Sequence, residues 1–456
     1  MNSLKNNFYP LLKLAIPLCM TGLLGSAIFF FETLFLARLG PDILAAGALA
    51  SWLAGTIIVI IFGILSSINI LVAHQHGANN KSAIALIAHN GLWLALLLTI
   101  PTLLLFWNIA PILLLLGQNE TIVLLAKSYL HAWAWGLVPK FVLMALLEVI
   151  MGLGHMRIIL LSTLFEVTLS IILSFLLIFG VGGFPAMGIS GAGWGMSISS
   201  WITAISIIIF IMTRTKYQCY FGQLTQWAQL SHLTELLRIG TPMGFMYCIE
   251  VGFFFALTLF MGTFGAKVLA ANQIVMQYNG LLIAIIFSIA QAVTVRMGHL
   301  LGANDIQAAR AAGFTGVFLS GLVMSIAALF FWFFPTLIIS TDFDVKQSKN
   351  AEIIQFATSF LSICALFQIF EAMRIAFFGA LRALKDTRFT LFISILSFWG
   401  IALPLGYSLA THFNFGGVGL WWGMLLGALL SVPLLAWRFN FKIQDYGTVA
   451  NGYTAL

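Results

Sequence analysis

The sequence predicts an all-α polytopic membrane protein, with twelve transmembrane helices in two pseudo-symmetric six-helix lobes, a parallel repeat around a central cavity. Three observations predict it. Of 456 residues, 61% are hydrophobic and only 8% are charged, where a soluble domain carries about 25% charged residues. Apolar stretches long enough to cross a bilayer, about 20 residues each, recur twelve times. The second half of the chain also repeats the first.

Taken in order, the expected spans are 10–37, 43–73, 82–107, 121–151, 157–180, 190–213, 235–263, 267–297, 308–334, 351–381, 389–410 and 417–438. Several exceed the minimum, so tilt or protrusion is expected. Turn and polar residues mark the breaks, among them Gly40-Pro41-Asp42, Gly77-Ala78-Asn79-Asn80, Gly117-Gln118-Asn119-Glu120 and Gly302-Ala303-Asn304-Asp305. The stretch from Leu11 to Ala37 is too long for the apolar region of a cleavable signal and lacks a small-residue exit, so it is expected to remain as the first span.

Basic residues set the orientation. With the N-terminus in the cytoplasm, fourteen Lys and Arg fall on that side, including Lys5, Arg214, Lys216, Arg382, Lys385 and Arg388. Five (Arg38, Lys127, Lys267, Lys346 and Lys349) fall on the other, and Lys140 and Arg374 lie within spans. The positive-inside rule then places both termini in the cytoplasm. The expected division is an N-terminal lobe over 1–213, a cytoplasmic linker over 214–234, a C-terminal lobe over 235–440 and a cytoplasmic tail over 441–456.

The repeat is legible residue by residue. At a shift of 225, Leu11-Leu12 matches Leu236-Leu237, Pro17 matches Pro242, and Gly40 matches Gly265. Likewise His74 matches His299, and Gly77-Ala78-Asn79 matches Gly302-Ala303-Asn304. At 228, Gly188, Gly191, Trp194, Gly195 and Met196 match Gly416, Gly419, Trp422, Gly423 and Met424. Six spans return the chain to its starting side, so the halves are parallel repeats, an arrangement suited to alternating access.

Composition also excludes function classes. The net charge of +7 is spread over short loops and not gathered in a patch for nucleic acid. Cys19, Cys219, Cys248 and Cys364 are isolated, with no CxxC and no His at ligand spacing, so neither a metal site nor a disulfide framework is expected. No Gly-x-Ser-x-Gly, HExxH or paired catalytic Asp motif lies within a span, which argues against an intramembrane enzyme.

The chemistry is expected from acids placed where they are costly. Asp42, Glu120, Asp342, Asp344 and Glu352 belong to outer loops, and Glu235, Asp305, Asp386 and Asp445 to the cytoplasmic side. Glu32, Glu148, Glu166, Glu250 and Glu371 fall within spans. A charge at mid-bilayer costs about 2.5–3.5 kcal/mol on insertion scales and usually faces a cavity, pairs, or carries ions. Glu250 and Glu371 lie near the middle of the seventh and tenth spans and are expected to share a water-filled chamber. There they either carry a proton, hold Na⁺ with neighbouring oxygens, or remain as hydrogen-bonded structural acids. Arg374 follows Glu371 by one turn on the same face, as a structural salt bridge or as a switch released by protonation or a cation. Glu32 lies toward the outer end of the first span. Glu166, Ser170 and Ser174 form a polar stripe on the fifth span. For Glu32 and Glu166 the reading is a second cation site or interhelical hydrogen bonding. Glu148, near the cytoplasmic end of its span, reads as structural or gating. Asn272, Gln273, Gln277, Tyr278 and Asn279 are polar groups on the eighth span, some expected to line the cavity, with Asn272 equally placed to cap. Aromatic residues at 14%, with 16 Met, suit flat cationic ligands through stacking and adaptable contact.

These motifs together resemble the multidrug and toxic compound extrusion (MATE) family, most closely its NorM-type bacterial branch. The resemblance rests on ETLFLARLG with LAAGALA in the first two spans, and on IEVGFFFALTLFMGTFG, AANQIV and VRMGHLLGAND in the seventh and eighth. ALFQIFEAMRIAFFGALRALKDTR in the tenth span completes it. It places Glu32, Glu250 and Glu371 on acidic positions of that family. It implies a monomer in the bacterial inner membrane that exports amphipathic, often cationic, organic compounds in exchange for H⁺ or Na⁺, with lipids as surroundings and no cofactor. The rivals are a dedicated exporter of one endogenous metabolite and a lipid-linked oligosaccharide flippase, the latter disfavoured because only Arg374 and Lys140 lie at depth. Two departures stand out. Ser170 and Ser174 stand where many relatives carry two Asn, and Phe367 where some carry Tyr. Both remove or move oxygen ligands and weigh toward protons.

Overall fold

The computed structural model describes residues 2–221, 229–341, 347 and 350–453, with side chains over 7–447 of these. Asp342, Asp344, Lys346, Lys349, part of the 214–234 linker, the end of the tail and the side chain of Lys5 lie outside the described residues. Among the described residues every regular element is helical. In chain order these are α1 (Asn2–Ala37), α2 (Pro41–Leu65), α3 (Ser67–Gly77), α4 (Lys81–Trp107), α5 (Ile109–Leu115), α6 (Glu120–Ala134), α7 (Leu137–Gly152), α8 (Met156–Phe179) and α9 (Ile189–Thr213). They continue with α10 (Thr215–Phe221), α11 (Leu230–Thr263), α12 (Ala266–Gly302), α13 (Ile306–Phe333), α14 (Pro335–Ile339), α15 (Ala351–Ala383), α16 (Thr387–Ser394), α17 (Leu403–Thr411) and α18 (Gly417–Tyr453). Eleven candidate spans are long and apolar enough to cross a membrane, and the bent pair α6–α7 brings the number to twelve. The chain is therefore a multi-pass membrane protein, as its composition predicts.

The repeat survives in backbone geometry. Gly40 and Gly265, 225 residues apart, precede α2 and α12 with φ of 125° and 114°, a region closed to side-chain-bearing residues. Asn79 and Asn304 both take left-handed φ, 55° and 60°. The next residues cap the following helices: Asn80 Oδ1 accepts from Ala83 N at 3.1 Å and Asp305 Oδ1 from Ala308 N at 3.0 Å. Equivalent turns are thus built from equivalent chemistry.

The halves differ in two spans. In the first half α6 and α7 meet at 54°. Gly136 lies so close to α9 that a Cβ would sit 2.6 Å from Ser197 Cα. The carbonyls freed at the bend find protein donors, as backbone away from water must. Ser197 Oγ donates to Ala132 O (2.7 Å) and Trp133 O (3.2 Å), and Trp201 Nε1 to Trp135 O (3.0 Å). In the second half, the eleventh span widens between α16 and α17 into a π-helical stretch, Ile395–Ala402. Pro404 follows at once and supplies no backbone N–H, so the ordinary ladder cannot continue through it. The widened turn carries Ser397, whose hydroxyl donates to Gly427 O at 2.8 Å, and Phe398, stacked on Phe253 at 4.6 Å.

By contacts the residues form two compact units, Met20–Gly244 and Met1–Cys19 with Phe245–Leu456. The boundaries fall inside α1 and α11 at positions equivalent in the repeat. In the second unit α12 and α15 approach closely. Thr294 Oγ1 on α12 donates to Gly379 O on α15 at 2.8 Å, and a Cβ on Gly379 would lie 2.3 Å from Ala290 O.

At the turn between α7 and α8, His155 secures α10. Its Nδ1 pairs with Tyr217 Oη at 3.2 Å and its Nε2 with Lys216 Nζ at 2.9 Å, so the imidazole must be neutral to accept from the ammonium. Burial, then the charges of Lys216 and His76, push its pKa from 6.5 to about 4. The unfolded form therefore binds a proton that the folded form rejects, and this docking is complete above pH 6.5 and lost as pH falls toward 4. For a half-exposed ring the effect is on the order of 1–2 kcal/mol after screening.

Two measurements follow from this packing. Gly379→Ala is expected to cost about 1–3 kcal/mol, read as a lower melting temperature in detergent, whereas Gly280→Ala, whose Cβ meets nothing within 4 Å, is expected to leave it equal or higher. The protection of the amides across 214–221, taken relative to intrinsic exchange at each pH, is expected to fall between pH 7 and pH 5, and His155→Gln to remove most of that pH dependence.

Candidate functional site

In the unit containing Phe245–Leu456, Glu250 comes from the middle of α11, and Glu371 and Arg374 from one face of α15. Arg374 is fully buried, with Glu371 and Glu250 at 2% and 7% exposure. The guanidinium grips Glu371 with two bonds, Nε to Oε2 at 2.8 Å and Nη2 to Oε1 at 2.6 Å. The same Nη2 reaches Glu250 Oε1 at 3.0 Å. Ser394, the last residue of α16, closes the cluster: its hydroxyl donates to Glu250 Oε1 at 2.8 Å and receives Arg374 Nη1 at 3.3 Å. The flat face of the guanidinium lies 4.7 Å from the Phe378 ring centre and 4.6 Å from that of Phe398, which adds cation–π attraction in a dry setting. With both acids ionised, the cluster carries one net negative charge. It can accept one further positive charge and become neutral.

The other unit holds its acids differently. Glu32 on α1 is buried in a small recess lined also by Ser170, Ser174, Met196, Phe31 and Phe35. Among the described residues no donor meets either carboxyl oxygen at full hydrogen-bond geometry, though the hydroxyls of Tyr129 and Ser51, bonded to each other at 3.3 Å, lie beside it. Glu166 does not line this recess. It is paired with Lys140 at 2.9 Å and accepts from Ser200 Oγ at 3.2 Å. Lys140 sits just after the bend between α6 and α7, which lets it reach α8.

The remaining polar residues are placed as follows. Asn272 is fully buried and accepts from Trp421 Nε1 at 3.2 Å, while its Nδ2 meets no acceptor among the described residues. Gln277 is exposed. The Tyr278 hydroxyl bonds Thr341 and donates to Ile338 O at 3.2 Å. Asn279 receives a bond from Gln368 and is buried. Glu148 is buried against Asn69, which donates to it. Among the described residues no three His, Cys, Asp or Glu side chains gather as metal ligands do. Sequence reasoning missed Ser394, although it is one of two Ser set three apart in an otherwise apolar stretch. It also missed the pairing of Lys140 with Glu166, for which a basic residue at depth was the only signal.

Breaking the Lys140–Glu166 pair from one side leaves a charge with little water around it. Glu166→Leu is expected to destabilise by about 1–2 kcal/mol, discounted because Lys140 remains partly solvated. Lys140→Met combined with Glu166→Leu is expected to recover most of that loss, as measured by a double-mutant cycle on melting in detergent.

Comparisons with known proteins identify the family and the fold. The MatE family model matches twice, over residues 17–176 and 242–408. A multidrug resistance protein NorM of Burkholderia vietnamiensis is 32% identical over 434 residues, covering 95% of this chain and 94% of that protein. A probable multidrug resistance protein NorM of a Synechococcus species is 33% identical over 435 residues, covering 95% and 94%. A solved structure described as the outward-facing conformation of a multidrug resistance MATE family transporter of the MOP superfamily superposes with a TM-score of 0.88. It is 18% identical and covers 96% of each chain, which shows the shared fold. The two model matches begin 225 residues apart, the interval of the internal repeat. The chain therefore belongs to the MatE family, on its NorM-type branch, whose members are membrane transporters and not enzymes.

Proposed function

We propose that this protein is a cation-coupled antiporter of the bacterial inner membrane. It acts as a monomer with both termini in the cytoplasm and exports amphipathic, often cationic, organic compounds by alternating access, driven by inward flow of H⁺ or Na⁺. The observation that carries this reading is the buried Glu250–Arg374–Glu371 cluster, two acids and one base within a membrane helix pair, one positive charge short of neutral. A cation arriving from outside neutralises Glu250 and weakens its bonds to Arg374 and Ser394. That loosens α11 from α15 and from the end of α16. The π-helical stretch after α16 gives this region a turn that can rewind at low cost. Glu32 with Ser170 and Ser174 supplies a second place for a cation in the other unit, and Glu166 is held by Lys140 nearby on α8.

The names of the curated relatives, multidrug resistance proteins, support the substrate class. The electrostatics weigh against a carrier of lipid-linked oligosaccharide phosphates. Arg374 and Lys140, the bases at depth, are each committed to carboxylates and are not offered to a phosphate.

In proteoliposomes loaded with an amphipathic cationic dye, an imposed H⁺ or Na⁺ gradient is expected to drive efflux. Glu250→Gln is expected to cut the driven component by about tenfold or more while leaving the protein folded. Full gradient-driven efflux in that variant would remove Glu250 from the coupling role.

A further inference from the structure

We infer that Arg374 selects the coupling ion: as a permanent internal cation it fills the place that Na⁺ would need, and leaves the cluster able to take one proton, on Glu250, per turnover. The inference deepens the antiport reading and rests on it for the word coupling, though its binding test does not.

All but one of the cluster's oxygens are already committed. Both carboxyl oxygens of Glu371 are taken by Arg374. Glu250 Oε1 is taken twice, by Arg374 Nη2 and by Ser394 Oγ. The Ser394 oxygen already receives Arg374 Nη1. Among the described residues, the bonds to Glu250 all fall on Oε1, so Oε2 is the uncommitted oxygen of the cluster. The faces of Phe378 and Phe398 close on the guanidinium and bring no oxygen. Hard cations are held by shells of several oxygens. Sodium could assemble such a shell here only by evicting the guanidinium, which is fully buried, stacked on two rings and effectively unable to lose its proton. A proton requires a single oxygen.

Charge gives the same answer and sets the number. The cluster holds two carboxylates and one guanidinium, so one proton makes it neutral. A second would strip Arg374 of its last counter-charge in a dry environment, a state that strongly disfavours itself. The proton comes from water on the outer side, forms an O–H bond at Glu250 Oε2 and leaves from that atom to water on the cytoplasmic side. While it is bound, Glu250 no longer holds Arg374 by charge. Arg374 stays bidentate on Glu371, on its own helix, so the tie that opens is the one between α11 and α15.

The test is equilibrium binding of ²²Na⁺ to the purified full-length protein in detergent, beside gradient-driven dye efflux. The wild type is expected to show no saturable Na⁺ binding that Glu250→Gln removes. Arg374→Gln, checked for folding by its elution profile and melting curve, is expected to gain one saturable Na⁺ site that is lost again in Arg374→Gln combined with Glu250→Gln. Arg374→Lys keeps the internal charge and is expected to remain without Na⁺ binding. Saturable Na⁺ binding by the wild type that Glu250→Gln removes would overturn the inference, and it needs no variant at position 374 to fold. A folded Arg374→Gln that binds no Na⁺ would overturn it too. Efflux driven by a pH gradient and at least about tenfold weaker with a Na⁺ gradient supports it, and the reverse contradicts it. Efflux with neither gradient would sink the antiport reading alone, since Na⁺ binding still decides what Arg374 excludes.

Discussion

A guanidinium out of contact with water depends on its neighbours to hold its charge. Arg374 has two carboxylates, a serine hydroxyl and two aromatic faces to do so. Removing one partner of such a buried group typically costs 3–5 kcal/mol, about as much as a good part of a domain's stability. The surrounding helices are therefore fixed by it. Glu250 must stand at one level of α11, Glu371 and Arg374 must share a face of α15, and α16 must end with Ser394 at the same point. The π-helical stretch after Ser394 belongs to this constraint, because it turns Phe398 toward the guanidinium while Ser397 still reaches α18. The same rigidity makes the cluster a candidate switch. A single neutralised oxygen changes the balance of the whole group.

The two units share topology and turn chemistry but not ion arrangement. In one, a single arginine joins both acids. In the other, Lys140 takes Glu166 and leaves Glu32 in a recess with Ser170 and Ser174. The bend between α6 and α7 explains the difference in part, since it brings Lys140 to α8. The corresponding span of the second half, α15, runs unbroken and places its base one turn from its own acid. Descent from one repeat has thus produced two acid clusters with different resident counter-charges.

Much of this was legible in the sequence. The spans came from length and apolarity, and every expected span is covered by helix because membrane helices carry their signal locally, although 43–73 and 121–151 each divide into two helices and α18 runs on well past 438. The repeat was legible because Gly40 and Gly265, or Asn79 with Asn304, hold backbone conformations that few residues adopt. Arg374 was readable as the partner of Glu371 because three residues separate them on one helix. Its bond to Glu250 was not, since the two lie 124 positions apart and no local pattern encodes which faces of α11 and α15 meet. The bend at Gly136 had a local signal in Pro139, which cannot donate to the Trp135 carbonyl, but the Ser197 and Trp201 side chains that satisfy the freed carbonyls lie on another helix. Glu166 appeared in sequence as part of a stripe with Ser170 and Ser174. In the structure the stripe divides, the serines facing Glu32 and the acid facing Lys140.

The central claim is that Glu250, held by Arg374, is where driving proton and exported substrate meet energetically. The most direct measurement is proton release on dye binding by the purified protein in weakly buffered detergent solution. The account predicts that dye binding releases protons from the wild type, rising toward about one per bound cationic dye as the pH is lowered until the free protein holds its proton, because the substrate and the proton compete through linkage, and that Glu250→Gln releases none. Equal release by the wild type and by folded Glu250→Gln would contradict it and move the coupling proton elsewhere in the protein.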